Sequence, residues 1–201
     1  MSTILSYSAL FLTVLVGISL VISTALTGVP TLSSGKSEMD DVIALLKNAK
    51  LPEHAVIIDL GSGWGTLVVA LARAFPDASV QGVEMSPFPY LVSCLRTRGL
   101  SNVSMRWGNF FRSDLRIADA ITCYLMPDLM APVSDLLDNS IKPGARVVSN
   151  TFLFRERAIS SACEGSLRGA VALYIWPALH RDRPQQIEKR IIREKRLSER
   201  N

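Results

Sequence analysis

The chain has 201 residues, enough for one domain of about 150 residues with a buried sheet, plus extensions. Its net charge of +4 equals that of the tail from Arg181 to Asn201, where eight Lys or Arg face four Asp or Glu, so the remainder is electrically balanced. Three cysteines, Cys94, Cys123 and Cys163, are odd in number and form no Cys-x-x-Cys pair, which argues against a disulfide framework or a zinc site. His54 and His180 are too few for a histidine-based metal centre, and no metal is expected.

The N-terminal stretch from Ile4 to Leu26 is 23 residues without a charge, and no charged side chain precedes Lys36. As a helix it would measure about 34 Å, against a hydrocarbon core of about 30 Å. A cleaved signal peptide calls for Lys or Arg before the apolar run, and none is present. The reading is a single-pass membrane anchor. Lys36, Lys47 and Lys50 all follow the span, which places the C-terminal domain on the cytoplasmic side. Thr27 to Gly35, rich in Thr, Ser, Gly and Pro, completes an anchor-and-linker region over residues 1–35. Gly35-Lys36-Ser37 looks like the end of a phosphate-binding loop, but Pro30 stands where that motif needs glycine. Ser37 and Asp40 instead read as a capping box, and Met39, Val42, Ile43 and Leu46 recur at helical spacing.

Val56-Ile57-Ile58-Asp59-Leu60-Gly61-Ser62-Gly63-Trp64-Gly65 is the densest signal in the chain. A β-branched run ends in an acid, breaks into three alternate glycines, and is followed by a helix-like stretch from Thr66 to Phe75. Glycines let the backbone approach a ligand, and the N–H groups of the helix start face the same spot. A dinucleotide fingerprint would be G-x-G-x-x-G, but Thr66 occupies the place of its last glycine. A carboxylate at the strand end suits a cationic amino-acid moiety better than a pyrophosphate, which favours S-adenosylmethionine. A second strand, Ser79 to Val83, delivers Glu84 where an acid can accept both hydroxyls of a ribose. The cofactor-binding set is therefore Asp59, Gly61, Ser62, Gly63, Gly65, Glu84 and Met85.

Tyr90 to Arg98 reads as a helix ending at Gly99, and Asn102 to Trp107 as a third strand. At its tip, Asn109 fits a polar contact to the adenine amino group and Phe110 an apolar wall, although Phe110 and Phe111 fit a core equally well. Ala118 to Leu125 is the fourth strand, expected beside the first at the topological switch point. Its end, Tyr124, Met126 and Pro127, should line the acceptor pocket, with Tyr124 the candidate for orienting the acceptor. Cys123 should point to the opposite face and lie in the core. A helix from Pro127 to about Leu137, a fifth strand ending at Asn150 and a last strand from Val171 to Trp176 follow. Phe152 to Gly169 has room for another short strand. In the basic tail, over residues 178–201, Ile187, Ile191 and Ile192 form a narrow apolar stripe, read either as solvated or as lying on anionic lipid.

Asp59 to Gly65, Gly82-Val83-Glu84-Met85-Ser86-Pro87 and the Tyr124 to Pro127 strand end together resemble class I S-adenosylmethionine-dependent methyltransferases, over about Ser37 to Trp176. The resemblance implies an α/β fold: a Rossmann-like, doubly wound, mostly parallel seven-strand sheet with helices on both faces, over residues 36–177. The N-terminal span, Ser86-Pro87 after the acid and Val147 to Phe152 late in the chain are similar to bacterial relatives of the mitochondrial lysine methyltransferases of the ATP synthase c subunit and the adenine nucleotide translocase. Trp64 departs from that pattern at a position often acidic, and Asn109 replaces a common acid at the adenine. The implied enzyme is a membrane-anchored methyltransferase acting on a lysine of a membrane protein. Methylation of a lipid or small amphiphile, and a noncatalytic cofactor-binding protein, are the alternatives. Nucleic-acid binding ranks last, since no aromatic residue is interleaved with the basic tail and no Asn-Pro-Pro-Tyr type motif is present.

Overall fold

The computed structural model describes residues 35–166 and 169–179, together with eight scattered helical positions between residues 6 and 17. Among the described residues no helix is long and apolar enough to cross a membrane. Most of the expected span from Ile4 to Leu26 and all of the basic tail from Arg181 onward lie outside the described residues. At the scattered N-terminal positions Tyr7, Leu10, Phe11 and Val14 are exposed.

From Gly35 onward the elements alternate: α1 (Lys36–Asn48), β1 (Val56–Leu60), α2 (Thr66–Ala74), β2 (Ser79–Glu84), α3 (Pro87–Thr97), β3 (Val103–Trp107), a 3-10 turn (Phe110–Arg112), β4 (Ala120–Cys123), α4 (Pro127–Ser140), β5 (Arg146–Asn150), β6 (Ser161–Ser166) and β7 (Gly169–Ile175). They build one seven-stranded sheet in the order β3-β2-β1-β4-β5-β7-β6. The pairs from β3 to β5 are parallel, and β7 runs antiparallel to both neighbours. Parallel strands buried on both faces need continuous apolar runs, which Val56-Ile57-Ile58 and Val147-Val148 supply. Ile57, Val80, Ala120 and Val148 face α1 and α2, where Val42, Leu46, Val68 and Leu71 cover them. Ile58, Leu60, Ile121 and Val147 face the other way, against Met130, Val133 and Leu137 of α4. The sheet thus has helices on both faces, and the β1–β4 boundary opens at its C-terminal edge.

Local chemistry shifts some boundaries from the sequence expectation. The predicted capping box at Ser37 and Asp40 does not form: Gly35 is the N-cap, no side chain caps it, and Glu38 folds back so that one of its oxygens fills the place a Cβ on Gly35 would take. An acid in the first turn complements the helix dipole without capping geometry. α3 begins at Pro87 rather than Tyr90, because proline at the first helical position loses no hydrogen bond. β4 is four residues, shorter than the run from Ala118 to Leu125, and Ser161–Ser166 is the short strand that Phe152 to Gly169 had room for.

A buried arginine closes the α4 side. Arg157 is 7% exposed; it donates to the Ser134 hydroxyl at 3.2 Å and to the Ala178 carbonyl at 3.0 Å, pairs with the Asp138 carboxylate, and lies over the Trp176 ring. Asp138 also accepts from the Trp176 indole at 3.0 Å. These contacts fasten the segment after β5 and the chain after β7 to α4. Truncating Arg157 leaves the Ala178 carbonyl without its donor and bares the Trp176 ring, while the Asp138 carboxylate, about a third exposed, is compensated by water. Arg157→Ala should lower the free energy of unfolding by about 1–2 kcal/mol, read as a lower urea midpoint, with Arg157→Lys recovering only part of it because the planar fork is lost.

Candidate active site

The site grows from the tips of β1, β2 and β4. β1 ends in Asp59 and Leu60, and the chain then turns through Gly61, Gly63 and Gly65, whose φ angles of 71°, 53° and 73° lie in the left-handed region. Gly61 is bound by space as well: a Cβ there would lie 3.0 Å from Leu125. At Gly65 a Cβ would come within 2.8 Å of the Ser93 side chain, so this glycine lets α2 and α3 meet. The Gly61 and Ser62 amides both donate to the Val83 carbonyl at 3.0 Å, folding the loop back onto β2.

Glu84, at the end of β2 and 6% exposed, holds the loop from the other side. One carboxylate oxygen accepts from the Gly63 amide at 2.8 Å and the other from the Ser86 amide at 2.7 Å. A carboxylate has about four acceptor positions, so two oxygens engaged once each retain capacity for ligand hydroxyls. Asp59 is 4% exposed and accepts from the Thr122 hydroxyl of β4 at 2.7 Å. Burial raises its pKa from 3.8 to about 7; the Thr122 hydrogen bond lowers it and the nearby Glu84 charge raises it further. Two buried acids at adjacent strand ends thus make a place for positive charge.

The remaining predicted residues divide into two groups. Near the β2 and β3 tips, Met85 is partly exposed and its carbonyl accepts from the Trp107 indole at 2.9 Å. Asn109 is exposed, and its side-chain oxygen caps the 3-10 turn by accepting from the Phe111 amide at 2.9 Å. With that oxygen engaged, its amide nitrogen remains to face a ligand. Phe110 packs on Phe111 and against the core, the second of its two expected roles. The Ser62 hydroxyl is buried without a partner, against Gly82 and Met105; a Cβ on Gly82 would be 2.9 Å from it. On the acceptor side, Tyr124 follows β4 and lies nearly parallel to Phe152, with centroids 6.4 Å apart. Met126 is half-buried as the N-cap of α4, and Pro127 opens a cleft of about 780 Å³ between α4 and the 151–157 segment. Cys123 is buried in the core as expected, and burial pushes its thiol up to about 12.

The sequence reading missed four participants. Thr122 is in direct register with Asp59, a pairing that becomes visible only once β4 is placed beside β1. Ser86 contributes its backbone rather than its side chain to Glu84. Phe152 reaches Tyr124 because Thr151 adopts a left-handed φ of 67° after β5. Trp64 packs edge-on to Phe88 at 5.7 Å, an apolar contact between the glycine loop and α3.

A family model for the ANTKMT methyltransferase domain matches residues 59–160, half the chain, starting at the acid that precedes the glycines. The chain belongs to the ANTKMT methyltransferase domain family. It is 27% identical over 137 residues to a protein-lysine N-methyltransferase of Saccharolobus islandicus, covering 65% of this chain and 85% of that protein. It is 28% identical over 131 residues to the lysine N-methyltransferase of the ATP synthase c subunit from Rattus norvegicus, covering 62% of this chain but only 56% of that protein. Among solved structures it is similar to an RNA methyltransferase from Salinibacter ruber in complex with S-adenosyl-L-homocysteine, with a TM-score of 0.63, 26% identity, and coverage of 76% and 97%. The protein is an S-adenosylmethionine-dependent methyltransferase. The donor set fits the cofactor of this methyltransferase family: Asp59 and Glu84 are buried acids at adjacent strand ends, and Gly61, Gly63 and Gly65 put no side chains on the loop at those positions. Among the described residues no cluster of three or more His, Cys, Asp or Glu could hold a metal.

The raised pKa of Asp59 fixes a pH dependence. A cationic ligand prefers the ionised carboxylate, whereas below about pH 7 the free protein holds Asp59 protonated. S-adenosylmethionine affinity should therefore rise with pH, by up to about tenfold per unit below pH 7, and level off above it. Without ligand, stability has the opposite trend: the folded chain retains a proton that an unfolded aspartate releases near pH 4, so this contribution is lost as pH rises from about 4 to 7. Calorimetric titrations across pH 5.5 to 8.5 check the first trend, and Asp59→Asn should flatten it.

Proposed function

We propose that the chain is a membrane-anchored protein-lysine N-methyltransferase whose substrate is a membrane protein. The observation that carries the lysine assignment is the chemistry of the acceptor side. The tips of β4 and β5, Tyr124 to Pro127 and Asn150 to Leu153, contain no Asp, Glu or His, and present the aromatic pair Tyr124 and Phe152. Strand tips without a carboxylate or imidazole suit a nucleophile that needs no base once neutral, and the carboxylates of the adjoining cleft, Asp128, Asp135 and Glu156, lie beyond those tips in the chain. Two lysine methyltransferases among the relatives support the same reading. Bringing a lysine of pKa about 10.4 to neutrality at pH 7 costs about 4.6 kcal/mol, which desolvation between apolar walls reduces. The uncharged and mostly half-buried β4 and β5 tips would therefore favour the neutral amine.

In this reading Asp59 faces the cationic amino-acid end of the cofactor, Glu84 takes the ribose hydroxyls, and Met85, Asn109 and Phe110 enclose the adenine. Tyr124, Met126 and Pro127, with Phe152, direct the acceptor. When bound, S-adenosylmethionine supplies a methyl group already activated on a sulfonium. Positioning and exclusion of water then account for most of the catalysis. The uncharged 23-residue N-terminal run supports anchoring, with residues 36–177 as the cytoplasmic catalytic domain and residues 178–201 as a basic tail.

The likeness to an RNA methyltransferase favours a second reading, transfer to RNA. Both are separated by incubating the full-length protein and tritiated S-adenosylmethionine with membranes and RNA from a host lacking the gene. The proposal predicts label in a small membrane protein, recovered as methyl-lysine and lowered at least a hundredfold by Asp59→Ala. Label in RNA would establish the second reading, and label in extracted lipid would move the assignment to a lipid acceptor.

A further inference from the structure

Between Glu84 and Asp114 the chain carries four arginines, Arg96, Arg98, Arg106 and Arg112, and no acid. In the fold this stretch forms α3, β3 and the 3-10 turn, the outer edge of the sheet. Its large apolar side chains are unusually open: Leu91 is 58% exposed, and Leu95 and Trp107 are each 64% exposed. At about 100° per residue, Leu91, Leu95 and Arg98 form one row along the outer side of α3, opposite the buried Ser93 and Thr97. The neighbouring row faces β3, where Tyr90 stacks on Trp107 at 6.5 Å. Tyr90 thus ties α3 to the tryptophan at the rim of the edge. Arg106 is exposed on the same edge strand, and Asp114, the acid that ends the stretch, is held by Arg116 at 2.8 Å.

We propose that this edge rests on the surface of an anionic bilayer, with Leu91, Leu95 and Trp107 entering the headgroup boundary and Arg98, on the leucine row, meeting lipid phosphates. Apolar side chains in a row, a tryptophan with its ring at the rim and an arginine beside them are the complement of such a surface. Arg96 is held instead by the Trp64 carbonyl and the Thr66 hydroxyl, and Arg106, next to Trp107 in β3, points to the other face of the sheet. The leucines decide against nucleic acid, to which they offer neither a stacking face nor a hydrogen bond. The inference rests on the membrane reading and deepens it: besides an anchor at the N-terminus, the catalytic domain would have a fixed orientation. The β3 edge would face the lipid, and the acceptor side at the β4 tip would stand three strands, about 15 Å, back from it.

Trp107 supplies the reporter. Of the three tryptophans, Trp176 is buried at 1% exposure and Trp64 packs on Phe88. The full-length protein is reconstituted in vesicles of phosphatidylglycerol and phosphatidylcholine, the latter with brominated acyl chains, and tryptophan emission is recorded. The expected result is quenching of the wild type that is lost in Trp107→Phe. The Leu91→Glu/Leu95→Glu variant should also lose it while still floating with the vesicles. Absence of quenching in a wild type that floats would overturn the docking face and leave the anchor standing. Failure to float would overturn both. Unquenched protein whose binding to a single-stranded RNA oligonucleotide is lost in Arg98→Glu/Arg106→Glu would make this edge a nucleic-acid surface instead.

Discussion

The Glu84 carboxylate, taking one backbone amide on each oxygen, is the constraint on which the site depends. It joins the end of β2 to the middle of the glycine loop and to the start of α3. Charge-assisted hydrogen bonds of this kind are about twice as strong as neutral ones, and burial strengthens them further. The loop could otherwise take many shapes, since three of its residues are glycines with left-handed φ. Glu84 and the Val83 carbonyl select one of them. The same carboxylate helps to hold the Asp59 pKa up, so loop shape and site electrostatics are linked through one side chain.

The two sides of the site differ in kind. The cofactor side is polar, braced by hydrogen bonds and buried acids. The proposed acceptor side presents the aromatic pair Tyr124 and Phe152, next to a cleft whose lining includes Asp128, Asp135 and Arg157. This division suits methyl transfer from a sulfonium, where positive charge sits on the donor and the acceptor must arrive neutral. The contact of Trp64 with Phe88 knits the loop to α3 without adding charge beside Asp59 and Glu84.

Much of this was legible because its signals are local. The β-branched run before Asp59, the alternate glycines and the acid at the end of the second strand sit within a short stretch, and backbone chemistry leaves them few alternatives. What was not legible is pairing across the sheet. Thr122 meets Asp59 only through the β1–β4 register, and Phe152 meets Tyr124 only because Thr151 turns the chain after β5. Competition between local options accounts for the rest. Pro87 and Pro89 read as a break but begin α3, and Asn109 spends its oxygen on a cap that the following Phe-Phe pair does not announce. Ser161–Ser166, with its mixed composition, becomes a strand through pairing with β7.

The central claim is that the Glu84 carboxylate both shapes the loop and presents it to the cofactor, and Glu84→Gln tests it most directly. Glutamine keeps the size but turns one of two acceptors into a donor facing a backbone N–H. Calorimetric titration of the variant with S-adenosylhomocysteine should show a loss of about 2–3 kcal/mol, or roughly 30- to 150-fold in Kd, while the chain remains folded by circular dichroism. Affinity within about threefold of wild type would contradict the account, because the loop would then hold its shape and its ligand without the second acceptor.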